Sequence, residues 1–487
     1  MIRYSLGMIL LFEAAFLAVP LVTAIIYMEI APIFALVMTM LLAASVGALF
    51  RLSKPTDTAL YTKDSFLLVA LSWVVLSVFG ALPFVFSGAI PSFIDALFEI
   101  SSGFSTTGST VVPNCDILPR SLIMWRSFSI WIGGMGVLVF IMAVLPLGGG
   151  QSMHIMRAES PGPEVSKLVP RMSKTARLLY TIYIALTLLC FLSFLPELCV
   201  FDAMNLAFAT AGTGGFAPTA ASFANYTPYT QIAATVFMLL FSINFNSYFL
   251  VLQLRFKEAF NTEVRTFLTI VFVAIAIITA NLVMMSEPLA GLEDPLDALR
   301  HAAFSVATTI STCGYTTVDF NLWPTLSKTI LVLLMFIGAC AGSTGGGFKV
   351  SRLIILFKGA VREIGSLIHP KQVKKITIDD KPVASEVIRS VNAYLVIYVL
   401  TFIISFVILT FDPYVPTEGM DVMTTNFTAV TAAINNIGPG LGMVGPTGNF
   451  AFFSPLSKLV LTFDMLAGRL ELLPMMLLFT PSTWKKR

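Results

Sequence analysis

Four stretches of the chain gather small polar residues around a glycine: Ser105-Thr106-Thr107-Gly108, Ala211-Gly212-Thr213-Gly214-Gly215, Ser311-Thr312-Cys313-Gly314 and Asn435-Asn436-Ile437-Gly438. None carries a carboxylate or an imidazole, so acid–base and nucleophilic chemistry have no starting point here. What such runs can offer is backbone. Glycine enters left-handed conformations at little cost, which lets carbonyl oxygens turn to one side. Four sets of carbonyls around one axis can replace the hydration shell of a monovalent cation. The runs are neutral and lack the carboxylate ring of a divalent-cation filter, which favours K⁺ (or Rb⁺) over Na⁺. The candidate ion ligands are Thr106, Thr107, Gly108, Thr213, Gly214, Gly215, Thr312, Cys313, Gly314, Asn436, Ile437 and Gly438.

A second constellation lies deeper. The run Gly342-Ser343-Thr344-Gly345-Gly346-Gly347 interrupts an apolar stretch, and Arg469 sits inside another. Successive glycines break a membrane helix, and the freed backbone must line a cavity or find protein partners. An arginine at membrane depth is costly and marks function by default. Gly345 follows Gly314 by 31 residues, and Arg469 follows Gly438 by 31. Shared register predicts that loop and arginine meet below the carbonyl ring, the loop as plug and the arginine as movable barrier or anchor for loop carbonyls, the plainer alternative being a structural pair of Arg469 with Glu471 or Asp464; the same offset points to Val139 and Asn246. Lys349 comes one position too late for a phosphate loop, and Val350 replaces its hydroxyl residue, so that reading is rejected.

Short helices must aim these runs. Asp95, Asp202, Asp297 and Asp421 each stand at a helix-start position, where a carboxylate caps free amides. The distance from aspartate to glycine is 13 residues in the first two and 17 in the last two, a difference of about one helical turn. The stretches 92–107, 199–214, 296–313 and 420–437 are too short to cross a bilayer and read as re-entrant helices. Ten longer apolar spans surround them: 5–28, 32–50, 65–86, 122–147, 176–196, 229–254, 266–286, 326–357, 388–411 and 454–480. The fold class is therefore an all-α integral membrane protein, with two leading helices and four helix–pore-loop–helix repeats around one pseudo-fourfold pore. The units run 1–56, 57–156, 157–260, 261–370 and 371–487.

Composition agrees. Of 487 residues, 56% are hydrophobic and 12% charged, about half the charged share of a soluble domain. Soluble enzymes and nucleic-acid binders are excluded; the ambient partner is membrane lipid. In the ten-span topology, twenty-four of the thirty Lys and Arg fall on the side of the termini, which the positive-inside rule makes cytoplasmic. Fourteen acids, Glu99 among them, fall outside against five bases, Arg126 among them, giving an outer face attractive to cations. The first apolar stretch lacks a cleavage site and reads as a retained helix. The five cysteines form no C-x-x-C pair.

On these residues the chain resembles the Trk/Ktr/HKT superfamily of potassium transporters, and within it the TrkH-type membrane subunit. The resemblance rests on SSGFSTTGST, TAGTGGF, STCGYTT, NNIGPGLG, AGSTGGGFK and AGRLEL, with Trp125-Arg126-Ser127 and Ala158–Pro163 beside them. It implies K⁺ uptake across a bacterial cytoplasmic (inner) membrane through a gated pore, with K⁺ as cargo and no organic cofactor. Gly108, Gly215, Gly314 and Gly438 match the family's filter glycines, 342–347 its intramembrane gating loop and Arg469 its pore arginine. It further implies a homodimer with one pore per protomer, and a cytoplasmic TrkA-type nucleotide-binding regulatory ring. The basic stretch 358–390 offers that ring a docking surface. The alternative is a K⁺/H⁺ or K⁺/Na⁺ symporter on the same fold. A membrane enzyme finds no support in three scattered histidines, His154, His301 and His369.

Overall fold

A computed structural model describes residues 2–52, 62–136, 172–285, 294–369, 375–413 and 421–484. The described chain is almost wholly helical, apart from a small hairpin pairing Thr377 with Pro382 and Ile378 with Lys381. Six helices are long and apolar enough to cross a membrane: Ile2–Ile26, Ile30–Leu52, Lys63–Phe86, Ala176–Phe194, Thr262–Val283 and Ser385–Thr410. The first two form the leading hairpin. They approach closely because Gly7 faces Gly47, where an added methyl would lie 2.6 Å from the Gly47 carbonyl oxygen. The next four each open one repeat.

The four short helices are Phe93–Phe104, Val200–Gly212, Pro295–Ile310 and Val422–Ile434. They are buried along most of their length, as re-entrant segments must be. The capping differs from the expectation. Only Asp421 is an N-cap, accepting from the Thr424 amide at 3.1 Å. In the other three helices the side chains of Ser92, Cys199 and Asp294 are the caps, and Asp95, Asp202 and Asp297 occupy the third helical position. There they meet the positive end of the helix dipole without closing the first turn. Bonds from Thr424 hold the exposed Asp421 carboxyl below the ordinary carboxylate range.

The second helices of the repeats depart most from uninterrupted spans. The stretch 229–254 is two helices, Pro228–Ser242 and Phe245–Leu252, bent by 92°. The stretch 454–480 is a helix Pro455–Arg469 followed by a short one, Leu473–Leu478, with Glu471 and Leu472 left-handed between them. The stretch 326–357 divides into Thr325–Ile337 and Val350–Ile368, as the glycines require. Arg120–Met135 ends on Gly136 at φ 83°, and the remainder of the 122–147 span lies outside the described residues. Thus, among the described residues, the second helix is broken in three repeats and ends at Gly136 in the first, where the sequence announced one break. The hidden break in the second repeat falls at Ser242-Ile243-Asn244, which contains neither glycine nor proline. Tertiary hydrogen bonds replace the lost helical ones there.

Candidate functional site: a ring of glycines over an intramembrane loop

Each short helix ends in the same way. The left-handed residues Thr106, Thr213, Thr312 and Asn436 have φ of 59°, 58°, 59° and 56°. Their amides bond three residues back, and the amides of Thr107, Gly214, Cys313 and Ile437 bond five residues back, to Ser102, Ala209, Thr308 and Ala432, at 2.8–3.0 Å. This is a Schellman motif four times over. A β-branched threonine in this region costs roughly 1–2 kcal/mol. The next residue but one is the glycine, with φ 80°, 66°, 90° and 102° in chain order. These amides are taken up by their own helices; of the run carbonyls, Asn435 O accepts from the Gly347 amide and Gly438 O from Ser109 Oγ, both at 3.0 Å.

The four runs close into a ring. A methyl placed on Gly108 would collide with the carbonyl oxygen of Gly214, one on Gly215 with that of Cys313, and one on Gly314 with that of Ile437. One on Gly438 would lie 2.9 Å from the carbonyl oxygen of Thr107. Each glycine thus abuts the residue that precedes the glycine of the next repeat, and the fourth returns to the first. Above the ring a small vestibule is lined by all four glycines, by Ser109, Thr110 and Thr316, and by Arg126. All twelve residues singled out from sequence lie in these four runs.

Beneath the ring lies the loop 338–349. Gly346 donates its amide to Thr312 Oγ1 at 2.6 Å, and Gly347 donates to the Asn435 carbonyl at 3.0 Å. On the second repeat, Cys340 donates to Ser242 O at 3.1 Å, Thr344 Oγ1 donates to Phe241 O at 3.1 Å, and Phe245 donates to Gly342 O at 3.0 Å. These are the bonds that support the bend at Ser242–Asn244. The residue beside Gly342 is Asn244, with Oδ1 3.1 Å from a methyl placed there. Asn246, to which the equal offset pointed, lies two residues further on, in the helix Phe245–Leu252. Val139 lies outside the described residues.

Arg469 meets the loop as its register required. It is 7% exposed and donates to Thr344 O at 2.7 Å, Gly133 O at 2.6 Å, the Gly134 carbonyl, and Thr106 Oγ1 at 3.3 Å. One guanidinium therefore joins the loop, the end of the broken first-repeat helix and the ring. Gly342, Ser343, Thr344, Gly345, Gly346 and Gly347 all belong to this loop, and Ser343 Oγ bonds Cys340 O at 2.6 Å within it.

Three groups at this level escaped the sequence reading. Lys349 is buried with φ 81°, and its ammonium bonds the Gly345 carbonyl. Its place directly after the glycine run was the available signal. Glu263 accepts from the Ala341 amide at 2.7 Å. Arg352 forms an ion pair with Glu471, tying the helix that leaves the loop to the break after Arg469. No sequence signal marks these two, since the pair is separated by 119 residues.

The outer face is more paired than its charge count suggests. Lys458 donates to Asp95 Oδ1 at 2.6 Å, Arg300 lies 2.9 Å from Asp297, and Arg126 lies 2.7 Å from Glu99. Among the described residues no group of His, Cys, Asp and Glu could hold a metal ion. On the cytoplasmic side of the assumed topology, Lys358 donates to Thr377 O at 2.7 Å, while 370–374 lie outside the described residues.

Comparison with known proteins gives this geometry a family. The TrkH family, described as cation transport protein, matches residues 32–486. The Trk system potassium uptake protein TrkH of Escherichia coli K12 is 34% identical, over 99% of this chain and 98% of its own. The Trk system potassium uptake protein TrkI of Halomonas elongata is 30% identical, over 99% of this chain and 96% of its own. The crystal structure of the potassium transporter TrkH from Vibrio parahaemolyticus superposes with a TM-score of 0.85 at 31% identity, over 99% of both chains. Multi-pass, all-helical and built from four linked quadrants, this chain belongs to the TrkH family of cation transport proteins, a family of transporters and not of enzymes.

Proposed function

We propose that the protein takes up K⁺ across the cytoplasmic membrane through a gated, channel-like pore. The closed ring of Gly108, Gly215, Gly314 and Gly438 carries this reading. Carbonyls of the ring stand in for water around a dehydrated K⁺, and the absence of carboxylates from the four runs suits a monovalent ion. The names of the relatives, Trk system potassium uptake proteins, support K⁺ as the cargo.

The loop 342–347 and Arg469 act as the gate. A guanidinium on the ion path repels K⁺, and its bonds to Thr344, Gly133 and Gly134 hold the loop across the pathway. Opening requires those bonds to be exchanged. We assign both termini to the cytoplasm, on the sorting of basic residues. The functional unit is a homodimer with a pore in each protomer, regulated by a TrkA-type nucleotide-binding ring that docks on the basic stretch 358–390; the word "system" in the relatives' names fits a multi-component assembly.

The test is rescue of growth at limiting K⁺ in an uptake-deficient bacterium that supplies the regulatory subunit. Wild type restores growth and Gly314→Ser does not. Wild type that fails to restore it overturns the assignment. Reversal potentials that move with the proton gradient at fixed K⁺ replace the channel with a symporter.

A further inference from the structure

Topology places Glu99 and Arg126 among the charges of the outer face, yet they are 0% and 2% exposed. Glu99 lies on the first short helix, one turn before its end. Its Oε2 accepts from the Val111 amide at 2.9 Å, and its Oε1 accepts from Arg126 Nε at 2.7 Å. The Thr110 hydroxyl stands 3.0 Å from both oxygens and can donate to either. Thr110 and Val111 form the strand that leaves Gly108. Arg126 Nη1 is buried without a hydrogen-bond partner, and the guanidinium lies 4.1 Å from the ring centroid of Phe216, the residue directly after Gly215.

No other quadrant is built this way. The residues nine before Gly215, Gly314 and Gly438 are Leu206, Ser305 and Ala429, none ionisable. In two of them the segment that leaves the glycine is tied by a bond between groups other than carboxylates, although His301 also lies 3.2 Å from Arg300. In the third, His301 Nδ1 and Thr317 Oγ1 lie 2.8 Å apart; in the fourth, Leu441 donates to Thr428 Oγ1 at 2.9 Å. Charge-assisted bonds are the stronger kind, and a carboxylate clamped by arginine fixes direction as well as distance.

We propose that Glu99, held by Arg126, is a positioning residue for ion selectivity: it sets the strand 108–111 and, through Phe216, the neighbouring run. The inference rests on reading the glycine ring as the ion filter. It separates two roles of one carboxylate. As an acceptor it fixes the strand, because an amide at this position must turn a donor towards either the Val111 amide or the guanidinium. As a charge it cancels Arg126 beside the vestibule, where an unbalanced guanidinium repels entering cations.

The experiment uses full-length protein in proteoliposomes and compares wild type, Glu99→Gln, Glu99→Asp, Thr110→Val and the double variant Glu99→Gln with Arg126→Gln. K⁺ influx and the K⁺/Na⁺ permeability ratio are both read. Glu99→Gln lowers the ratio about tenfold, equivalent to about 1.4 kcal/mol, and raises the KM for K⁺. Adding Arg126→Gln restores KM but not the ratio. Glu99→Asp recovers part of the ratio, and Thr110→Val lowers it less than Glu99→Gln. A monodisperse Glu99→Gln protein with the wild-type ratio overturns the proposal. If Glu99→Gln does not fold, an unchanged ratio in Thr110→Val overturns it instead. Wild type that carries no K⁺ overturns the reading of the ring, and this inference with it.

Discussion

The ring and the layer beneath it are built on opposite plans. In the ring, four helices end in one motif with a left-handed residue at the same place, the same backward bonds and a glycine against its neighbour's carbonyl. In the layer below, among the described residues, three helices break in three ways, at Ser242–Asn244, over the long loop 338–349 and at Leu470–Leu472, and a fourth ends at Gly136. One repeat supplies the loop and another the arginine. Symmetry suits a task in which every quadrant does the same work on a central ion. A switch needs the reverse, because one element must move against others that hold still.

Three experiments test that contrast, the most damaging first. Alanine at Gly108, Gly215 or Gly314 drives a methyl into a neighbouring carbonyl at positive φ, and we expect K⁺ uptake to be lost in growth rescue. Alanine at Gly438, whose methyl also meets a backbone carbonyl, at 2.9 Å and φ 102°, lowers uptake least of the four. Equal loss at all four would mean that φ and not space sets the cost. Next is Arg469→Ala. It removes several charge-assisted bonds, each worth about 1.5–3 kcal/mol, and raises basal K⁺ flux in proteoliposomes at least tenfold without changing the K⁺/Na⁺ ratio. A changed ratio with unchanged flux would place the arginine's work in the ring. The smallest effect is expected from Arg352→Gln. Its pair with Glu471 is 5% and 18% exposed, so losing the guanidinium costs more than a surface pair, but the ion pair is not itself a bond of the loop 342–347. Basal flux should rise about fivefold by the same measurement, with the ring untouched.

The symmetric region was legible in the sequence because its determinants are local. A short apolar stretch, an aspartate near its start and a glycine at its end recur within each repeat, and the four glycines meet in the ring. The asymmetric region was legible only where it used glycine or a stranded charge, at 342–347 and Arg469. The bend at Ser242–Asn244 is made by amides and carbonyls of a loop about a hundred residues away, and no local residue announces it. Glu99 counted as a surface acid for the same reason. Its partner Arg126 comes 27 residues later on another helix, and only folding buries the two together. The caps were misread by three positions, since Asp at the third helical position and Asp at the cap look alike before the turn is seen.

The ring is closed within a single polypeptide. In a pore assembled from four identical subunits, any exchange beside the axis is made four times, and the binding cage changes in whole steps. Here Thr107, Gly214, Cys313 and Ile437 fill equivalent places with three different side chains and a bare glycine. On the proposed reading of the ring as an ion cage, a single mutation therefore adjusts one quarter of the cage and leaves the other three as they were.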